Sequence, residues 1–187
     1  FMRGLLHVGL RNQVGGRLGD GVSTLSDSLR DLGFEVGRFK TGTPCRLNGR
    51  SIDFSKCERQ EGDAVVQPFT FLPERLARRP HELFSLNSWE AGAFHVEQWP
   101  CWITQTSPET HEIIRQNLHR SALYAGVIEG TGPRYCPSIE DKVVRFAARD
   151  RHQIFLEPEG LDDFTVYPNG ISTTLPRDVQ LSLLQTI

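Results

Sequence analysis

Apolar residues along this chain recur at two spacings, near 2 and near 3.6, and the alternation between them lays out the elements. Residues 1–10 read as a strand. A glycine-rich loop at 15–21 separates it from a helix whose stripe is Leu25, Leu29 and Leu32, with Ser23 as N-cap and Gly33 as the stop. Residues 34–39 alternate into a second strand. From 58 to 100 the periodicity fades. Pro68, Pro73, Pro80 and Pro100 punctuate short apolar clusters there, which predicts an insertion of loops and small strands closed by a packed strand at 99–102. Ser107-Pro108-Glu109-Thr110 is a helix start, and Ile113, Ile114 and Leu118 give its inner face, which places His111 and His119 at the surface. A further helix follows Ser138, with Pro137 in its first turn and Val143, Phe146 and Ala147 as its stripe. Strands are expected at 153–157 and 164–167. The Pro168-Asn169-Gly170 turn then predicts a hairpin returning through 170–175. A last helix, capped by Thr174, presents Val179, Leu183 and Leu184. The alternation predicts the α/β class.

Both ends fall inside elements. The chain opens on a strand under way and stops at Ile187 in a helix without a glycine or basic last turn, so a central fragment of a larger domain is expected.

Composition narrows the functional classes. With 187 residues and 38% hydrophobic content, the chain can bury a substantial core. A formal charge of -2 argues against a generally basic nucleic-acid coat. The cations are nearly all arginine, with lysine only at Lys40, Lys56 and Lys142, which weakly favours phosphate or carboxylate ligands. Cys45, Cys57, Cys101 and Cys136 form no C-x-x-C pair and no metal-ligand spacing, so a reducing compartment and no metal are expected. No apolar run is long enough to span a bilayer, and no membrane partner is expected.

The chemistry concentrates at Gly130-Thr131-Gly132-Pro133-Arg134-Tyr135-Cys136, a glycine and proline loop that sets a cysteine at a helix mouth. Ser138 and Asp141 are spaced as a capping box. A lone cysteine is more often a small buried hydrophobe. A thiol among unpaired helix N–H groups, two residues from Arg134, instead gains nucleophilic character. Two cationic regions stand beside this one. Lys40-Thr41-Gly42-Thr43-Pro44, with Arg38, Arg46 and Arg50, forms a loop at a strand end, the usual place for ligand contacts in α/β sheets, although a solvated loop fits equally well. Arg75, Arg78 and Arg79 read more simply as a solvated face than as a phosphate contact.

The segments GGRLGD (15–20), GRFKTGTP (37–44), YAGVIEGTGPRYCPSIEDKVVRF (124–146), HQIFLEPEG (152–160) and YPNGISTTLP (167–176) closely resemble the MnmG family, also called GidA. The resemblance covers nearly the whole chain and is weakest at 58–100. It implies the middle portion of a flavoprotein that modifies the wobble uridine of certain tRNAs, adding a (carboxymethyl)aminomethyl group at carbon 5 together with the GTPase MnmE. FAD, NADH and methylene-tetrahydrofolate as one-carbon donor are the implied cofactors, a homodimer the implied assembly, and the cytoplasm (or the mitochondrion in a eukaryote) the implied location. The implied fold is the central part of a glutathione-reductase-like FAD/NAD(P)-binding fold with an inserted smaller α/β domain. Residues 1–57 and 126–187 would belong to the FAD-binding domain and 58–125 to the NADH-associated insertion.

Carried over by motif, Cys136 is the family's functional cysteine and Ser23 an FAD contact. The stretch Gly132, Pro133, Arg134, Tyr135, Cys136, Pro137, Ser138, Ile139, Glu140, Asp141, Lys142, Val143, Val144, Arg145 and Phe146 matches the one assigned to NAD binding. Cys45 departs from the pattern, since relatives usually carry a second proline there. Three alternatives stand beside this reading: a nucleotide- or RNA-binding module without turnover, the related folate- and FAD-dependent tRNA uracil-5-methyltransferases, and a cysteine hydrolase pairing Cys136 with His152 or His111.

Overall fold

A computed structural model describes residues 4–15, 21–64, 87–90, 93–96, 98–128, 130–132 and 136–187, with 87–90 and 93–96 described by backbone alone. Most of the glycine-rich loop (16–20), the Arg75, Arg78 and Arg79 cluster, and Pro133, Arg134 and Tyr135 lie outside these residues.

A five-stranded antiparallel sheet organises the described chain. Its strands are β3 (Leu47–Asn48), β4 (Glu58–Gln60), β7 (Cys101–Gln105), β8 (Gln153–Pro158) and β9 (Thr165–Asn169), in the order β3-β9-β8-β7-β4. Two hairpins stand apart from it: β1 (Leu5–Val8) with β2 (Arg11–Val14), and β5 (Asn87–Glu90) with β6 (Ala93–Val96). The helices are α1 (Leu25–Asp31), α2 (Pro108–Asn117), α3 (Ile139–Arg145) and α4 (Arg177–Leu184).

One face of the sheet is the core face because the period-2 alternation puts the right residues there. Leu156 pairs with Trp102 on one side and Pro168 on the other, so these three share a face with Ile154 and Val166. Helices α2, α3 and α4 supply the opposing side chains. Ile114, Ile139, Val143, Val179 and Leu183 join Ile154, Leu156, Val166, Ile171 and Leu175 in one buried cluster. Each such side chain contributes about 1.5–3 kcal/mol of burial. Among the described residues, no helix is long and apolar enough to cross a membrane.

Several local expectations are corrected. Residues 4–15 form a hairpin rather than one strand, because Gly9 turns the chain at φ +60 and donates its N–H to Thr174 O at 2.8 Å. Residues 34–39 form no strand; Phe39 makes an isolated parallel bridge to Thr131. The N-cap of α1 is Thr24, one residue after Ser23. The hairpin joining β8 to β9 turns at 159–164, upstream of Asn169-Gly170. Residues 170–175 do not pair as a strand; they run along α3. The cap of α4 is Pro176, because the hydroxyl of Thr174 is engaged elsewhere. In α3 the inner stripe is Ile139 and Val143, while Phe146 is the exposed C-cap and Pro137 precedes the Ser138 cap.

His111 is the clearest reversal. It is 1% exposed, and its ring stacks on that of His152 with centroids 5.1 Å apart. Thr106 joins the two: its hydroxyl accepts the His152 backbone N–H at 2.8 Å and shares a 2.7 Å bond with His111 Nε2. Burial, and secondarily the Arg115 charge, lowers the His111 pKa below its ordinary value; burial first, then His111, Lys142 and Arg149, lowers that of His152. The sign follows by linkage. Both rings are more basic in the unfolded chain, so their contribution is full above about pH 6.5 and is lost as pH falls through that value toward the folded one. The melting temperature is therefore expected to drop between pH 7 and pH 5, and His111→Phe, which removes one of the two charges, to flatten that slope in a calorimetric pH series. An identical slope in the variant would contradict this.

Candidate functional site

Cys136 lies at the open end of α3 and is exposed, while Cys45, Cys57 and Cys101 are partly buried. Burial pushes each of these three thiols above its ordinary range, with Glu157 adding to the effect at Cys101. The sulfur thus stands where the sequence placed it, two residues before the helix cap. The capping box forms in full: Asp141 N donates to Ser138 Oγ at 3.1 Å and Ser138 N to Asp141 Oδ2 at 3.4 Å.

The helix start is held on two sides. On one, the 170–174 segment lies against it. Ile139 N donates to Ser172 O at 2.8 Å and Lys142 Nζ to Gly170 O at 2.7 Å. Glu140 completes the contact. Its Oε1 accepts from Ser121 Oγ, Thr173 Oγ1 and Thr174 N, all at 3.0 Å. On the other side, Thr131 of the glycine turn bridges to Phe39 and accepts Lys40 N–H at 3.2 Å. The loop after Lys40 closes the circuit, since Thr173 N donates to Thr43 O at 3.4 Å. Gly42 sits so close that a Cβ there would lie 2.8 Å from Ser172 Cβ. Cys136 therefore lies in a stretch whose two flanks are tied to one pair of segments.

This arrangement sorts the expected site residues. Gly132, Cys136, Val144, Arg145 and Phe146 are exposed; Pro137, Asp141 and Lys142 are partly buried; Ser138, Ile139, Glu140 and Val143 are buried. The amides of Ser138, Ile139 and Asp141 already have acceptors within the protein. Burial lowers the Lys142 pKa, and the nearby Cys136 opposes that shift. Tyr124 sits beside the same turn. Its phenol contacts Asp141 Oδ1 at 3.5 Å, and burial, then the Asp141 charge, raises its pKa.

Elsewhere the expected constellations are absorbed by the fold. Arg46 is taken up by Glu159, the Tyr167 ring and Pro44 O, and Arg50 lies over Phe164. Ser23 accepts Leu25 N–H at 3.3 Å, apart from the Cys136 turn in sequence and in its contacts. His111 and His152 are buried against each other while Cys136 is exposed, so no cysteine–histidine pair is assembled among the described residues. No cluster of metal-ligating residues occurs among them either. Sequence reading missed Glu140 as an internal acceptor. A signal existed: 139, 140 and 143 share one helical face, which sets an acid on a buried stripe.

Comparison with known proteins finds relatives over the whole chain. The family model described as Glucose inhibited division protein A matches residues 1–187. Relatives from Geobacter metallireducens and Geobacter sulfurreducens, each named tRNA uridine 5-carboxymethylaminomethyl modification enzyme MnmG, are 56% and 57% identical over the whole chain. The chain spans 27% of the length of each. The structure of Aquifex aeolicus GidA matches with a TM-score of 0.72 and 49% identity, over 100% of this chain and 29% of that one. The fold class is accordingly the expected one, an α/β part of a glutathione-reductase-like fold.

The close approach at Gly42 is open to test. Gly42→Ala is expected to destabilise the protein by about 1–3 kcal/mol through overpacking against Ser172. Ser172→Gly in the same chain should recover part of that loss in urea unfolding. A neutral Gly42→Ala would show that the two segments are not in contact.

Proposed function

The chain belongs to the glucose inhibited division protein A family, and from that premise we propose that it forms the central part of a FAD-dependent enzyme modifying the wobble uridine of tRNA. The names of the Geobacter relatives support the reaction, and the exposed Cys136 at the start of α3 supports its chemistry. In this reading tRNA is the substrate, the GTPase MnmE the partner, a homodimer the assembly and the cytoplasm the location. Residues 58–125 form the insertion between two lengths of the FAD-binding domain, 1–57 and 126–187. Strands β4 and β7, which lie within 58–125, share one sheet with β3, β8 and β9.

The residues present suit the groups this reading requires. Gly130 adopts φ +131, a conformation that only glycine takes readily, and with Gly132 it leaves an exposed turn that a dinucleotide phosphate can approach closely. Tyr124 and Lys142 flank the following helix start. Ser23, partly exposed ahead of α1, keeps its hydroxyl proton available toward FAD while its oxygen accepts Leu25 N–H. When bound, FAD and NADH supply the electron transfer, and methylene-tetrahydrofolate the carbon.

The part of this chain is nucleophilic and positional. The Cys136 sulfur adds to carbon 6 of the uracil, which makes carbon 5 nucleophilic toward the one-carbon unit; loss of the carbon 5 proton then lets the sulfur leave. Lys142 supplies positive charge at the helix start, and Asp141 keeps that start in place through its bonds to Ser138. The 187-residue chain alone is proposed to have no turnover.

Two outcomes are expected. In the full-length protein, Cys136→Ser abolishes the wobble modification while FAD content is kept, as read by nucleoside mass spectrometry of cellular tRNA. Normal modification in that strain would remove Cys136 from the mechanism. NADH titrated into the same protein is expected to saturate with a weaker affinity in Lys142→Met; equal affinity would remove Lys142 from the nucleotide site.

A further inference from the structure

Inside the stretch read as nucleotide-binding, Glu140 is 0% exposed, while Cys136 four positions earlier is exposed. We propose that Glu140 is a positioning residue rather than a ligand contact: its carboxylate latches the 171–174 segment to the first turn of α3 and so fixes where the Cys136 turn stands. The proposal deepens the reading of this site and rests on it.

The donors converge on a single oxygen. Ser121 Oγ, Thr173 Oγ1 and Thr174 N each reach Oε1 at 3.0 Å, and Thr174 Oγ1 approaches it at 3.4 Å. They come from two separate parts of the chain, the end of the connection after α2 and the 173–174 segment. Removing the carboxylate therefore releases several contacts at once. Ile139 N to Ser172 O lies on the same seam and sets its register.

The displacement would carry to the sulfur. Pro137 has a fixed φ, and Ser138 is held in the capping box, so little slack separates Ile139 from Cys136. Upstream, the turn is tied at Thr131 to Lys40, and the same loop accepts Thr173 N–H at Thr43 O. A shift of the 171–174 segment thus bears on Ile139 directly and on Thr131 through the 40–43 loop.

The other oxygen bears on what a substitution would do. Oε2 is buried with no hydrogen-bond partner among the described residues. A carboxylate only accepts, so its idle oxygen brings in no donor. A glutamine would keep the acceptor at Oε1 but place two N–H groups where no acceptor exists, and alanine would strand the donors themselves. The latch therefore predicts a graded series: glutamate, then glutamine, then alanine.

The test uses the full-length, FAD-containing protein carrying Glu140→Gln or Glu140→Ala. Hydrogen exchange reads the Ile139, Thr173 and Thr174 amides, and steady-state NADH oxidation gives KM and kcat. For Glu140→Ala, exchange at these amides is expected to quicken about tenfold, and KM for NADH to rise about tenfold with kcat within about threefold. Glu140→Gln should fall between Glu140→Ala and the unsubstituted protein, recovering part of both. If Glu140→Ala does not fold, Thr173→Val, which removes one donor, should show the same changes at smaller size. Unchanged exchange and KM in a folded Glu140→Ala or Thr173→Val protein would overturn the latch, as would Glu140→Gln matching the defect of Glu140→Ala. If the unsubstituted protein fails to bind NADH, the nucleotide reading falls, and the exchange result still decides the latch.

Discussion

A carboxylate sealed in the interior is costly unless donors meet it, and the arrangement of this protein around Cys136 depends on that requirement. At Oε1, Glu140 meets it by drawing two hydroxyls and a backbone N–H onto that oxygen. Those donors sit on the buried connection after α2 and on the segment after β9, which Ile171 and Leu175 also anchor in the core. Satisfying that oxygen brings the chain after α2 and the chain after β9 together at the start of α3. Apolar packing alone would hold these segments near one another without fixing their register.

The hydrophobic core and the polar seam divide the task. Ile154, Leu156 and Val166 on the sheet meet Ile139 and Val143 on α3, which anchors the helix as a body. The seam formed by Ile139 with Ser172, Glu140 with Thr173 and Thr174, and Lys142 with Gly170 fixes its rotation and its end. The stacked pair His111 and His152 lies in the same interior, and burial keeps both rings less basic than they would be in water. Outside this frame the glycine turn and Cys136 remain exposed. The helix end thus presents an accessible thiol, which suits the role proposed for it.

Much of this was legible from residue types. The caps of α2 and α3 were readable because Ser107 with Thr110, and Ser138 with Asp141, satisfy local donors at fixed spacing. The position of Cys136 followed from the same local rule. What escaped reading was set by distant contacts. The 170–175 segment has strand composition, yet its hydrogen bonds go to α3 and Glu140, so it pairs with no strand. Asn169-Gly170 resembled a hairpin turn, while Gly170 in fact ends β9 at φ +110, where a Cβ would meet Gln153 O at 2.7 Å. His111 looked like a surface residue because its partner Thr106 precedes the helix and His152 lies far along the chain.

The most direct test of the central claim, that this frame presents Cys136 as the nucleophile toward the wobble uracil, is covalent trapping. Full-length protein would be incubated with tRNA carrying 5-fluorouridine at the wobble position, where fluorine blocks the proton loss that frees the sulfur. The account predicts a stable protein–RNA adduct whose digested peptide carries the uridine on Cys136. An adduct on a different residue, or modification proceeding with no adduct at all, would contradict it.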